Sequence, residues 1–379
     1  MSLQVETFSK YDWLEQVFRK SESLRTANVA KASLRMFELF CKSEGLTESQ
    51  IIQRYQALAK EGDIRSICLS LDKFVQFLNQ DRDDILLNSI GNRTFKKKSF
   101  KTIENYFGFI KSYLRKCHGV KLSNEDIKDY VTFPRRRKEP RQAISLKAIK
   151  SILTYASPLR RALYLVLISS GMRIGECLAL TIADFHFNEN PVRVTLNAEI
   201  TKTKEGRDTF ISSEAYDKLK PFIEGKKDNE KVFTVYDDNY RAVIHEERYF
   251  SELRQRIGEL EKIKNKDDKS IFLERYHNSN RFIINIHAFR AYFHTKASNK
   301  HGSDYANALD GHGAYLKQYY RETPEERAKK YNELESSLLI ESVKLETEKT
   351  KDKIIEDLQV QMEKLKDQML RIELLNNNP

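Results

Sequence analysis

The stretch that most limits the fold is residues 159–170, where Leu163, Leu165, Val166, Leu167 and Ile168 are apolar nearly all round. A helix with no polar face is buried in a domain core, not laid on a surface. It ends at Gly171, and Arg173 follows at once in Ser169-Ser170-Gly171-Met172-Arg173-Ile174-Gly175-Glu176. A cation at the end of a buried helix is held rigidly, as a phosphate clamp needs to be. Glu176, three residues on, is placed to brace its guanidinium. Taken alone, the pair could equally be a helix-surface ion pair worth a few tenths of a kcal/mol.

Helical periodicity fills the chain upstream, over residues 8–133. Val29, Ala32, Met36, Phe37 and Phe40 recur at steps of three and four, as do Ile67, Leu71, Phe74 and Leu78. The clearest apolar face is Ile103, Tyr106, Phe107, Ile110, Tyr113 and Leu114, with Thr102 or Ser99 as its cap. Arg93, Lys96, Lys97, Lys98 and Lys101 crowd the approach to that helix, and Lys111, Arg115 and Lys116 its other face, with Phe95 and Phe100 interleaved. Such a run is either a solvated face or a contact with phosphates. Residues 134–141, Pro-Arg-Arg-Arg-Lys-Glu-Pro-Arg, have nothing apolar to bury and read as a linker. The adjacent cations Arg135, Arg136, Arg137 and Lys138 suit a strap along a nucleic-acid backbone.

A net charge of +11, with 32% of 379 residues charged, favours a polyanionic partner, nucleic acid before membrane. Cys41, Cys68, Cys117 and Cys177 are scattered, with no Cys-x-x-Cys pair and none at ligand spacing from a His, so zinc and redox motifs are not indicated. No run approaches the roughly 20 apolar residues of a membrane span, and a cytoplasmic, nucleoid-associated protein without membrane contact is expected.

Downstream of the buried helix, residues 185–187, 192–196 and 209–211 have strand character, giving a fold class that is mainly α with a small antiparallel sheet. Between the last two strands lies Thr201-Lys202-Thr203-Lys204-Glu205-Gly206-Arg207, a turn presenting lysines. Residues 224–280 are charged, with a helix expected over 245–263, and form a peripheral part of the second domain.

The chemistry concentrates in Ile286-His287-Ala288-Phe289-Arg290, Leu309-Asp310-Gly311-His312 and Gln318-Tyr319-Tyr320-Arg321. A guanidinium clamps two oxygens of an anion, imidazoles move protons and a phenol can attack. His287 and Arg290 share a helix face at i, i+3. His287, His294 and His301 recur every seven residues, but that spacing is about 10 Å along a helix, too far for one ion. No metal is expected.

Set in order, Arg173, the lysine turn, His287-x-x-Arg290, Gly311-His312 and the following tyrosine resemble the series of the tyrosine recombinases, the phage-integrase-like family. The resemblance covers residues 143–321. It implies an N-terminal helical core-binding domain (1–133), the basic linker (134–141), an α+β catalytic domain (142–323) and a helical tail (324–379). It also implies double-stranded DNA as partner and a homotetramer on DNA, from a protein that could be a monomer in solution. A strand is cut by a phenol attacking the scissile phosphate, giving a 3′-phosphotyrosyl enzyme and a free 5′-hydroxyl. Bond energy is retained, so no cofactor is needed. Arg173, Arg290 and His312 then stabilise the transition state, His287 assists proton transfer, Lys202 protonates the leaving oxygen and Glu176 supports Arg173. Lys204 stands as alternative to Lys202. Tyr320 is nearer the usual spacing from His312, with Tyr319 as the other candidate. Asp310-Gly311-His312 departs from the commoner apolar-Gly-His, and the window has a weaker likeness to archaeal and mobile-element integrases. The rivals are a type IB topoisomerase-like enzyme, whose relatives usually carry Lys in place of His287, and a DNA-binding architectural or regulatory protein without catalysis.

After the tyrosine, Thr323-Pro324-Glu325-Glu326 starts a helix, with a cap, a proline and acids at its positive end. Ile355, Leu358, Met362, Leu365, Met369 and Ile372 alternate three and four apart. They form a short coiled-coil seam of about two and a half heptads.

Overall fold

The computed structural model describes residues 8–86, 94–136, 139–265, 269–277, 281–312 and 322–341. They fall into two compact units, one up to Pro140, the other from Arg141 to Tyr276 and on from Arg281. The coiled-coil seam lies outside the described residues.

The first unit holds α1 (Lys10–Ser21), α2 (Leu24–Ser43), α3 (Glu48–Glu61), α4 (Ile64–Leu78), α5 (Phe100–His118) and α6 (Asn124–Tyr130). Each helix starts where a short polar side chain can accept an otherwise unbonded N–H: Ser9, Ser23, Thr47, Asp63, Ser99 and Ser123 do so in turn. Phe37, Phe40, Phe74, Phe77 and Phe95 form a chain of ring contacts through the core. Trp13, fully buried, donates its indole N–H to Ser112 at 3.2 Å and so pins α1 to α5.

Three expectations need correcting here. The α2 stripe is phased differently: Ala30, Ser33 and Leu34 are buried beside Met36, Phe37 and Phe40, while Val29 and Ala32 are only partly covered. Period-3.6 patterns tolerate such a rotation because small residues fit either side of the boundary. The unit is not wholly helical, since β1 (Arg82–Leu86) pairs antiparallel with β2 (Thr94–Phe95). Phe95 is also a core residue and not part of a basic surface; Lys98 lies over its ring, 4.4 Å from the centroid.

The second unit contains α7 (Leu146–Tyr155), α8 (Pro158–Ser170), α9 (Ile174–Ala179), β3 (Phe185–His186), β4 (Val192–Leu196), β5 (Arg207–Ile211), α10 (Ser213–Ile223), α11 (Asn239–Asn265), α12 (His287–His301), α13 (Ser303–Asp310) and α14 (Pro324–Glu335). The sheet is antiparallel in the order β3-β4-β5. Helix α8 is the axis of the unit: every residue from Ala162 to Ser170 is buried, against α10, α12 and β5. The helix expected over 245–263 is longer at both ends, as α11.

Gly171 closes α8 at φ +66°, and a Cβ there would come within 2.3 Å of the Phe293 ring on α12. Left-handed backbone and overpacking each cost a side-chain-bearing residue of order 1–3 kcal/mol. Gly171→Ala is therefore expected to destabilise the protein by about 3 kcal/mol, read as a shift of the urea midpoint.

A smaller cluster of Phe210, Phe293, Ala297, Tyr305, Leu309, Tyr331 and Leu334 fastens α12, α13 and α14 onto β5. Tyr331 donates its hydroxyl to the Ser169 carbonyl at 2.8 Å, tying α14 to the end of α8. Thr323 caps α14 in a reciprocal pair with Glu326, as its sequence foretold.

Candidate active site

Three chain turns converge on the end of α8. Arg173 caps α9, with its backbone N–H on Glu176 Oε2 at 2.9 Å and its Nη1 on Oε1 at 2.7 Å. Arg207 opens β5 on the inward-facing side and donates Nη2 to Glu176 Oε2 at 2.5 Å and Nε to the Leu309 carbonyl at 2.9 Å. Arg290, one turn into α12, donates Nη1 to the Gly171 carbonyl at 2.6 Å. Arg173 in turn reaches the Gly311 carbonyl at 3.4 Å. Each segment of the site is thus held by a guanidinium from another.

The electrostatics follow from burial. Glu176 is only 2% exposed. Burial alone would raise its carboxyl, but the hydrogen bond and charge of Arg207, then those of Arg173, hold it below the usual carboxylate range. Burial pushes Arg290 down to about 10, opposed by the charge of Asp310, and the group stays cationic at neutral pH. Three guanidinium groups face two carboxylates, Glu176 and Asp310, so the cluster carries surplus positive charge before any imidazole is counted. An anion is the ligand that balances it.

Gly311 has φ +77°, and a Cβ on it would stand 2.9 Å from the Arg207 guanidinium. The glycine lets the chain pass close over Arg207 and turn His312 into the cluster. His312 Nδ1 lies 2.9 Å from both oxygens of Asp310, and Arg290 Nη2 is 3.2 Å from the same ring nitrogen. His287 begins α12 at an exposed position, its ring partly desolvated by the neighbouring elements. Crowding around the ring, then the positive charge of Arg290 and Arg173, keeps its pKa below the ordinary 6.5.

Arg173, Glu176, Arg290 and His312 are therefore brought together, with His287 in electrostatic range. Lys202 and Lys204 lie exposed in the turn before β5, Lys204 at φ +57°. Buried Thr201 fixes that turn, exchanging hydrogen bonds with both the N–H and the carbonyl of Glu205. Tyr319 and Tyr320 lie outside the described residues. In the first unit Lys96 pairs with Asp83 and Lys101 with Glu104, while Lys97 is exposed and Lys98 half-buried. Arg135 and Arg136 are exposed. Arg93, Arg137 and Lys138 fall outside the described residues.

Sequence reasoning missed Arg207, taken only as the end of a turn. Its signal was parity: it shares the inward face of β5 with Thr209 and Ile211, and an arginine on that face needs a buried acid. It also missed His294, set aside with His287 and His301 for their spacing along the helix. The acid it meets is Asp310, 16 residues on, with His294 Nδ1 2.8 Å from Oδ2. The four cysteines are free thiols; burial raises Cys41 to about 12 and Cys68 to about 11. Among the described residues, no helix is long and apolar enough to cross a membrane.

Two arginines, a histidine and a bracing carboxylate, gathered with surplus positive charge, suit a phosphate or a similar oxyanion. The segment that carries it, residues 142–312, matches the model of the Phage integrase family. Tyrosine recombinase XerA of Saccharolobus solfataricus is 26% identical over 203 residues, covering 49% of this chain and 66% of that protein, so the chain spans slightly under two thirds of the relative's length. Among solved structures, XerH recombinase bound to difH substrate is 18% identical, covers 83% of this chain and 82% of its own, and superposes with a TM-score of 0.44. A lambda integrase(75-356) dimer bound to a COC' core site is 11% identical, with 83% and 98% covered and a TM-score of 0.44.

Proposed function

We propose that this protein is a site-specific DNA recombinase that cuts and rejoins strands of double-stranded DNA through a 3′-phosphotyrosyl intermediate, serving integration or excision of a mobile element. The observation that carries it is the convergence of Arg173, Arg290 and His312, 139 residues apart in sequence, on one braced cationic site within a phage-integrase-family segment. Phosphoryl transfer depends mostly on positioning and preorganised charge, which such a cluster supplies.

In this reading the Tyr320 phenol attacks the scissile phosphorus, with Tyr319 as the alternative. Arg173 and Arg290 neutralise the equatorial oxygens, His312 donates to one of them, and Lys202, or Lys204, gives a proton to the departing 5′-oxygen. Glu176 and Arg207 keep Arg173 from collapsing onto other partners. Exposed Lys97, Arg135 and Arg136, with Arg93, Lys96, Lys98, Lys101, Arg137 and Lys138, would contact the duplex backbone, and the complex would be a homotetramer on DNA.

The test is a suicide substrate, a duplex nicked near the cleavage position and drawn from candidate attachment sites. A covalent protein–DNA adduct on a denaturing gel is expected. Tight, salt-sensitive binding without an adduct on any site would favour a binding protein instead.

His287 provides a pH test. A ring whose pKa lies below 6.5 is neutral at pH 7 and can accept the phenol proton. The cleavage rate should hold through neutrality and fall only as pH drops below about 6.5, where the ring gains its proton. His287→Asn should lower the plateau and flatten that acidic limb.

A further inference from the structure

The Asp310 carboxylate is fully buried and faces nitrogen on several sides. His312 meets it through Nδ1 at 2.9 Å and donates its backbone N–H to Oδ1 at 3.0 Å. From α12, His294 Nδ1 lies 2.8 Å from Oδ2 and Arg290 Nη2 3.5 Å from Oδ1. Arg173 and Arg207 approach the same turn through the Gly311 and Leu309 carbonyls. A carboxylate so placed only accepts, so each imidazole must carry a proton on Nδ1 to bond it. For His312 this settles the ring's orientation: Nε2, on the far side from Asp310, is the nitrogen left to meet an anion. A nitrogen donating to Asp310 has no lone pair for Arg290, so the guanidinium at 3.2 Å shares the carboxylate as counterion and is not bonded to the ring.

The same three groups invite a metal, since their ligand atoms all lie within 4.8 Å of one another. The distances argue otherwise. The Nδ1 atoms sit 2.8 and 2.9 Å from the carboxylate oxygens, closer than the roughly 3.3 Å between ligand atoms held at about 2.0–2.1 Å on one tetrahedral ion, so direct hydrogen bonds account for the cluster. Arg290 also stands beside Asp310, where its charge repels a second cation.

We propose that Asp310 is a positioning residue that fixes the Nδ1-protonated form of His312 and aims Nε2 at the scissile phosphate, with His294 holding the other carboxylate oxygen in place. Tying one ring nitrogen to a buried carboxylate is how an acid orients a catalytic histidine in hydrolase triads. The inference rests on the proposed strand-cleavage function, which gives His312 a phosphate to address.

The experiment uses the full chain labelled with ¹⁵N-histidine, with His312→Gln to identify the His312 signals. Long-range ¹H–¹⁵N spectra read the tautomer; single-turnover cleavage of the suicide substrate and DNA affinity are measured in parallel. The wild type should show His312 protonated on Nδ1 when neutral. Asp310→Leu should move it to the Nε2-protonated form and slow cleavage about 10- to 100-fold, a usual range for removing a partner that orients a functional histidine, with DNA affinity unchanged. Should Asp310→Leu fail to fold, Asp310→Asn replaces it; its single amide oxygen cannot serve both rings fully, and partial loss of the Nδ1-protonated form with slower cleavage is expected. His294→Phe should retain the tautomer and slow cleavage less. An Nε2-protonated His312 in the wild type, or unchanged cleavage in the Asp310 variant, would overturn the proposal. So would added Zn²⁺ shifting the His294 and His312 signals together at stoichiometric concentration. A wild type that forms no adduct would overturn the functional reading and this role with it, and an Nδ1-protonated His312 would then leave Asp310 as a structural partner only.

Discussion

Tyr320→Phe is expected to abolish the covalent protein–DNA adduct on a suicide substrate, and Tyr319→Phe to retain it. Phenylalanine keeps the ring and its packing but has no oxygen, so no phosphotyrosyl bond can form however well the DNA is held. Loss is therefore complete, and DNA binding by the same variant should be unchanged because a phenol contributes no charge. The choice between neighbours follows from spacing. His312 is fixed on Asp310 at the end of α13, and the nucleophile must reach the same phosphate from a chain that leaves that point. Tyr320 has the longer connection and is nearer the family's usual separation. On a helix adjacent side chains point about 100° apart, so only one of the two phenols can lie in line with the leaving oxygen. An adduct lost only in Tyr319→Phe would keep the chemistry and move the nucleophile by one residue. An adduct surviving both single changes would mean that the two tyrosines substitute for each other or that a third group attacks, and the double variant separates these.

Much of the architecture was legible because it rests on local patterns. The all-round apolar run became α8, the Ile103-to-Leu114 stripe became the buried face of α5, and β-branched alternation became β4 and β5. What sequence could not supply was partner choice across the fold. Glu176 was expected to brace Arg173, three residues away, but Arg207 reaches it from a strand 31 residues on. His294 looked like a spare imidazole because its carboxylate arrives from α13. The small β1–β2 pair escaped notice because two residues of β2 are too few to show alternation. The same limit explains Phe95, which looked like an aromatic among surface lysines until the core closed over it.

Glu176 should be the most sensitive position in the second unit. Its carboxylate is 2% exposed and bonds Arg207 at 2.5 Å, Arg173 at 2.7 Å and the Arg173 backbone at 2.9 Å. Removing one partner of a buried ion pair strands the other's charge, at a cost of about 3–5 kcal/mol. Glu176→Ala strands Arg207, which is itself buried, and releases Arg173 from its brace; a loss of about 4 kcal/mol in urea unfolding is expected on that scale. Glu176→Gln, which keeps the shape, should be less damaging to packing but should still lose cleavage, because Arg173 is no longer held to one orientation. The pH dependence supplies an independent check. The folded-state pKa of Glu176 lies below its unfolded value, so its contribution is fully present above about pH 4.5 and is lost as pH falls through the folded pKa. The wild type should therefore lose stability on acidification faster than Glu176→Gln, with the two curves drawing together at the acidic end. Parallel curves across that range would mean that the carboxylate is not the buried counterion to Arg207 and Arg173, and would remove the reason for treating the two arginines and their acid as one preorganised unit.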